Sequence, residues 1–128
     1  MSSSDKHFEL GIGIAKDGLK YLFIFNAGAA TSLIALTDKL PNGRDYTYAV
    51  LLFGLGALGV TLAYTFGYFS QLFYANHVLE TEKRQTEIAA RQHCFHNAFQ
   101  VIAAFFVTIS LVSGTMGLWT AFLEAQSK

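Results

Sequence analysis

Charge is scarce in this sequence. Nine acidic and nine basic residues make up 14% of its 128 positions, where a soluble domain carries roughly a quarter. They cancel to a formal net charge of zero, so there is neither a polybasic surface for nucleic acid nor an acidic tail. The single cysteine, Cys94, excludes an intramolecular disulfide framework. The single proline is Pro41, and from Tyr68 to Ser113 there is neither proline nor glycine, so nothing punctuates that stretch as a loop. No His-Glu-x-x-His, Cys-x-x-Cys or phosphate-loop pattern occurs, and no nucleophile–base or carboxylate pair stands out. Catalysis, a metal and a cofactor are therefore not expected.

What is present is apolar length. Half of the residues are hydrophobic (52%), and no Asp, Glu, Lys or Arg falls in Tyr21–Thr37, Tyr46–Leu79 or Gln92–Leu123. A membrane-spanning helix needs about 20 mostly apolar residues and at least about 17, so the first run qualifies and the other two have length to spare. A secretory leader is the alternative for the first run. It fits poorly, because the apolar stretch begins near residue 19 behind mixed charge and two more spans follow. A soluble three-helix domain of this size has too little volume to bury so much charge-free helix. The expected fold is an all-α integral membrane protein with three long helices spanning the bilayer and a cytoplasmic helical-hairpin extension.

The single membrane domain, 1–128, divides into an amphipathic helix over 5–18, spans over 19–38, 46–75 and 96–123, and a hairpin over 76–95. Leu40-Pro41-Asn42-Gly43-Arg44 is a strong turn signal between the first two spans. The second and third runs continue into helix-favouring residues on both sides of Thr81–Thr86, which predicts two helices of about 55 Å against a hydrocarbon core of ~30 Å. Phe8, Ile12, Ala15 and Leu19 share one face of the N-terminal segment while Glu9, Lys16, Asp17 and Lys20 cluster on another. That helix either lies flat on the membrane or, the favoured reading, stands against the hairpin and covers its sparse apolar positions Val78, Leu79, Ile88 and Phe95; Gly11 and Gly13 are its weak point, where a kink is readily accommodated. Lys6, Lys16, Lys20, Lys83, Arg84 and Arg91 lie on one side of the spans and only Lys39, Arg44 and Lys128 on the other. The positive-inside rule then puts the N-terminus in the cytoplasm and the C-terminus outside.

Small residues recur at helical spacing. Gly59, Ala63 and Gly67 do so in the second span, and Ser110 with Gly114 and Ser113 with Gly117 in the third. Ala27, Thr31 and Ala35 form a similar stripe in the first. Such stripes let helices approach closely in lipid, and three of them exceed what one small bundle needs, so a homo-oligomer in contact with membrane lipid is expected. Polar side chains within the spans are few: Asn26, Thr61, Thr65, Gln100 and Thr108. Each either bonds a neighbouring helix or lines a pore.

All four histidines, His7, His77, His93 and His96, fall on the predicted cytoplasmic side. Axial haem ligation would need His77 and a histidine of the third helix at matching depth; juxtamembrane histidines at an interface are the simpler reading. Arg91-Gln-His-Cys-Phe-His96 has the Arg-x4-His spacing of nucleases of the HEPN superfamily, where the two side chains converge on an RNA phosphate. In a short helical membrane protein the motif resembles the small accessory membrane proteins of RNA-targeting CRISPR systems. That resemblance covers six residues plus the architecture, and implies an oligomeric pore acting in phage defense. The stretch from Gly18 to Leu36, with Asn26 between an aliphatic run and a small-residue run, is similar to the first membrane helix of a group of short multi-span bacterial inner-membrane proteins of unknown function. It implies that location and no activity.

Two functional classes follow. The first is a self-assembling pore or permeabilising effector, with Arg91, His93 and His96 as cytoplasmic contact or gating candidates and no nucleic acid bound. The second is a membrane anchor whose cytoplasmic base holds a soluble protein partner.

Overall fold

The computed structural model of the chain describes residues 3–37, 39 and 45–126, with side chains from residue 12 onward. It contains three helices, α1 (Ser3–Thr37), α2 (Thr47–Glu82) and α3 (Thr86–Gln126), and no strand among the described residues. All three are long and apolar enough to cross a membrane, and no more than 33% of any span's most apolar stretch is buried inside the protein. Leu51, Leu58, Val101, Phe105, Leu118 and Trp119 all point outward. A soluble protein does not tolerate that much continuous apolar surface, whereas a bilayer is its natural solvent.

At 1.5 Å per residue, the 36 residues of α2 and 41 of α3 span about 54 and 61 Å. The two run antiparallel as one hairpin over their whole length. Its tip explains how the chain reverses without glycine. Gln85 N–H donates to Glu80 O (3.0 Å) and Arg84 N–H to Thr81 O (3.0 Å), the pair of bonds that closes a Schellman turn. Arg84 takes the left-handed position, with φ 59°, where glycine usually sits. At the other end Asp45 accepts from Thr47 N–H (2.9 Å) and its own N–H donates to Glu124 Oε1 (3.2 Å), tying the start of α2 to the end of α3. Hydrogen bonds from the Thr47 side chain and backbone hold the Asp45 carboxyl below its ordinary pKa.

The seam between α2 and α3 has a 3.5-residue period. On α2 the buried positions Ala49, Phe53, Gly56, Val60, Ala63 and Ser70 are separated by four, three, four, three and seven residues, with buried Gly59 beside Val60; Ala89, Ser110, Ser113 and Gly117 keep the same phase on α3, with buried Gly114 beside Ser113. This is coiled-coil spacing. Beyond Ala63 the seam is filled by stacked phenylalanines: Phe66 against Phe99 and Phe106 (5.8 and 5.6 Å between centroids), and Phe73 against Phe95 and Phe99 (both 5.3 Å).

The N-terminal segment and first span form one unbroken helix that passes straight through Gly11 and Gly13. It lies mainly against α2. Its charged residues Lys16, Asp17 and Lys20 sit beside Tyr64 and Thr65, which marks the level at which α1 leaves apolar surroundings. Some 18 residues of α2 and a matching length of α3 continue past that level. Val78, Leu79, Ile88 and Phe95 on this extension are exposed rather than covered by α1. The turn over 40–44 lies outside the described residues.

Candidate functional site

Polar chemistry is concentrated in three places. The first is a node where all three helices meet. Asn26 is completely buried. Its Nδ2 donates to Leu22 O one turn back (3.0 Å) and across to Ser110 Oγ on α3 (3.2 Å). Its Oδ1 is buried with no partner. That oxygen lies between two glycines: a Cβ on Gly114 would stand 2.8 Å from it, and a Cβ on Gly56 would overlap it outright. A side chain this polar reaches the bundle centre only because both facing positions lack Cβ. Phe53 completes the node, edge-on to Phe25 (5.8 Å) and packed into the gap at Gly117.

The small-residue stripes are therefore used mostly within one chain. Gly59 faces Phe106 O and Ser110 Cβ at 3.1 and 3.3 Å, and Ala63, Ser110, Ser113, Gly114 and Gly117 are buried in the seam. Gly67 differs, since nothing lies within 4 Å of its Cβ position. The surplus expected for self-association shrinks to Gly67 and the outward face of α1 at Thr31 and Ala35, both exposed. Gly56, which the periodicity by fours passes over, is the glycine that admits Asn26. Its signal was the four–three alternation.

The second place is the hairpin extension. His96 Nδ1–H is shared between Ser70 O (2.9 Å) and Ser70 Oγ (2.8 Å), while the Ser70 hydroxyl donates to His96 O (3.1 Å). His77 Nδ1–H donates to Ala89 O (2.8 Å). Carbonyl acceptors fix the hydrogen on Nδ1 in both rings. His77 and His93 lie 5.0 Å apart between centroids, His93 and His96 6.1 Å, with Tyr74 5.2 Å from His96. His77 and His93 do share a depth, but their rings are in direct contact and leave no gap for a porphyrin. Among the described residues no three His, Cys, Asp or Glu side chains are placed to hold a metal ion. Arg91 is exposed with its guanidinium over the Phe95 ring (5.7 Å). Five residues of helix put Arg91 and His96 about 140° apart around α3; the histidine is held in the seam and the arginine lies outside it.

The third place is the outward face of α3. His93, Asn97, Gln100, Thr108 and Thr115 follow one another at helical spacing on one side, with Val101, Ala104 and Leu111 among them, and all are exposed. Asn97 Nδ2 lies 3.3 Å from His93 Nε2, which links the first two. Thr108 and Thr115 bond carbonyls of their own helix, leaving their oxygens facing outward. Thr61 and Thr65 do the same on α2 but face α1 instead. Of Asn26, Thr61, Thr65, Gln100 and Thr108, then, only Asn26 makes an interhelical bond among the described residues, with Ser110; Ser70 and His96 form another such pair.

No family model, curated protein or solved structure matches this chain.

Proposed function

We propose that copies of this chain assemble in a bacterial inner membrane into an oligomeric pore, of the permeabilising kind used in phage defense. The N-terminus and hairpin lie in the cytoplasm and the C-terminus outside. The observation that supports this best is the exposed pair Thr108 and Thr115 on one face of α3 within the span, a stripe that Gln100, Asn97 and His93 carry on into the cytoplasmic extension. Threonine hydroxyls bonded to carbonyls of their own helix are tolerated in lipid but gain nothing there. The same groups turned toward their symmetry mates line a wet passage without any charge in the bilayer. The node at Asn26 closes the inside of each protomer, so such a passage forms only between protomers. Catalysis is not part of this reading. Arg91 and His96 act at the base, where a permanently charged guanidinium can hold a carboxylate of the next subunit and His96 senses the seam through Ser70.

Purified protein in planar bilayers is expected to conduct, and Arg91→Ala and His96→Ala to alter the current without any RNA cleavage by either the parent or the variants. A monomeric mass in detergent would end the pore reading. The exposed apolar side chains Val78, Leu79, Ile88 and Phe95 favour a second reading, an anchor for a soluble partner. A non-conducting oligomer that retains one soluble protein at fixed ratio would establish that one. The orientation has its own check, since the basic residues of α1 and the hairpin lie at one end. Reporter fusions should place the N-terminus inside and the C-terminus outside; both in one compartment would refute three spans.

A further inference from the structure

We propose that the groove between the N-terminal half of α1 and the middle of α2 binds one anionic phospholipid of the phosphatidylglycerol type. The phosphate rests on Lys16 and Lys20, and an acyl chain lies along Phe23, Ile24 and Val60. Below the Asn26 node α1 and α2 separate and leave a cleft of about 710 Å³. Its polarity is ordered from end to end. Lys16, Asp17 and Lys20 stand at one mouth, and the walls toward the node are aromatic and aliphatic. The hydroxyls of Thr61 and, nearer the charged mouth, Thr65 donate to Ala57 O and Thr61 O of their own helix. The centre of the cleft thus lacks a free threonine donor and suits hydrocarbon, with charge confined to the rim. That is the polarity of a lipid standing in its leaflet, head at Lys20 and tail toward the bilayer centre.

Charge selects the occupant. The described residues contain one ion pair, Lys83 with Glu80 (2.9 Å), so both rim lysines lack a carboxylate partner. A second copy of the chain in the same orientation cannot supply one from α2 or α3 at this level, because no Asp or Glu occurs from Tyr46 to Leu79 or from Gln92 to Leu123. Headgroup phosphate is always present at this depth. Asp17 leaves the rim with one net positive charge, which a singly anionic lipid neutralises and a zwitterionic one does not. Its carboxylate can accept from the hydroxyls of a glycerol headgroup. Basic pockets between membrane helices are a recognised means of holding anionic headgroups.

The site is independent of conduction, so a chain that passes no ions would still carry it. The test is native mass spectrometry of the full chain extracted from nanodiscs of mixed phosphatidylglycerol, phosphatidylethanolamine and phosphatidylcholine. About one phosphatidylglycerol per chain should survive in preference to the other two. Replacing Lys16 and Lys20 together by alanine should weaken retention roughly thirtyfold, while Lys83→Ala, at the hairpin tip, should leave it unchanged. Thr61→Trp, which fills the cleft, should remove bound lipid of every class, with helicity checked by circular dichroism. Since both lysines are exposed, the alanine pair carries the test even if the tryptophan variant fails to fold. Equal retention of phosphatidylcholine would overturn the proposal, as would full retention by the alanine pair or displacement by millimolar inorganic phosphate. So would a Thr61→Trp variant that loses oligomer mass but keeps its lipid, which would assign the cleft to a second copy.

Discussion

Replacing Gly56 with alanine is expected to loosen α1 from the other two helices. The added methyl overlaps Asn26 Oδ1, and Asn26 has no free direction in which to retreat. It is fully buried, its Nδ2 is bonded to Leu22 O and Ser110 Oγ, and Gly114 closes the far side. Overpacking of this kind costs about 1–3 kcal/mol. Turning the amide aside also gives up the bond to Ser110, which in a membrane contributes on average ~0.6 kcal/mol and at most about 1.7. Steric overlap is therefore the larger effect and the hydrogen bond the smaller. Gly54→Ala and Gly28→Ala are the matched controls, because nothing lies within 4 Å of either Cβ position, and a helical alanine there gains up to about 1 kcal/mol. Thermal unfolding in one detergent should rank Gly56→Ala well below both. Adding Asn26→Ala should restore much of the loss, since the colliding atom is then gone; neighbours in contact couple in this way. A Gly56→Ala protein as stable as Gly54→Ala would mean that Asn26 moves freely and that the node does not hold α1.

The three spans and the long hairpin are legible in the sequence because charge placement alone determines them. The first run without Asp, Glu, Lys or Arg is just long enough to span, the other two exceed 30 residues and have few other fates, and the absence of glycine and proline from Tyr68 to Ser113 leaves helix as the only regular one. The tip is legible in place but not in mechanism. Arg84 in the left-handed position costs roughly 1–2 kcal/mol, and only the packing of the two flanking helices makes that tolerable. Side-chain partners are harder to read. Reading small residues by fours groups Gly59, Ala63 and Gly67, whereas a 3.5-residue seam groups Phe53, Gly56, Val60 and Ala63. The two readings differ by less than one residue per turn, yet they separate the glycine that Asn26 requires from one with open space beside it. The histidine cluster is hidden for a related reason: His77 and His93 are 16 positions apart in sequence and meet only because the hairpin's register brings them to 5.0 Å.

A cysteine placed on the outward stripe of α3 should render the current sensitive to a charged thiol reagent, and a cysteine one or two positions away should not. The background is Cys94→Ser, because the native thiol is exposed and would react itself. Gln100→Cys, Ala104→Cys, Thr108→Cys and Thr115→Cys lie on the stripe; Ile102→Cys, Phe105→Cys and Met116→Cys lie to its other side, and all seven positions are exposed. Exposure alone therefore predicts equal reactivity. The pore reading predicts otherwise, because a methanethiosulfonate carrying a charge reacts only where water reaches, and lipid-facing thiols stay protonated and shielded. Modification on the stripe places a fixed charge in a narrow, low-dielectric passage, where Coulomb energies far exceed those in bulk water. Most of the current should vanish, and return with a reducing agent. Every side chain on the stripe is uncharged within the span, so the change from neutral to charged is also the largest perturbation a single site can receive there. Block that is equal at Thr115→Cys and Met116→Cys would remove the stripe as the lining. Block that follows Ile102, Phe105 and Met116 instead would rotate α3 by about a third of a turn and place the passage on an apolar face.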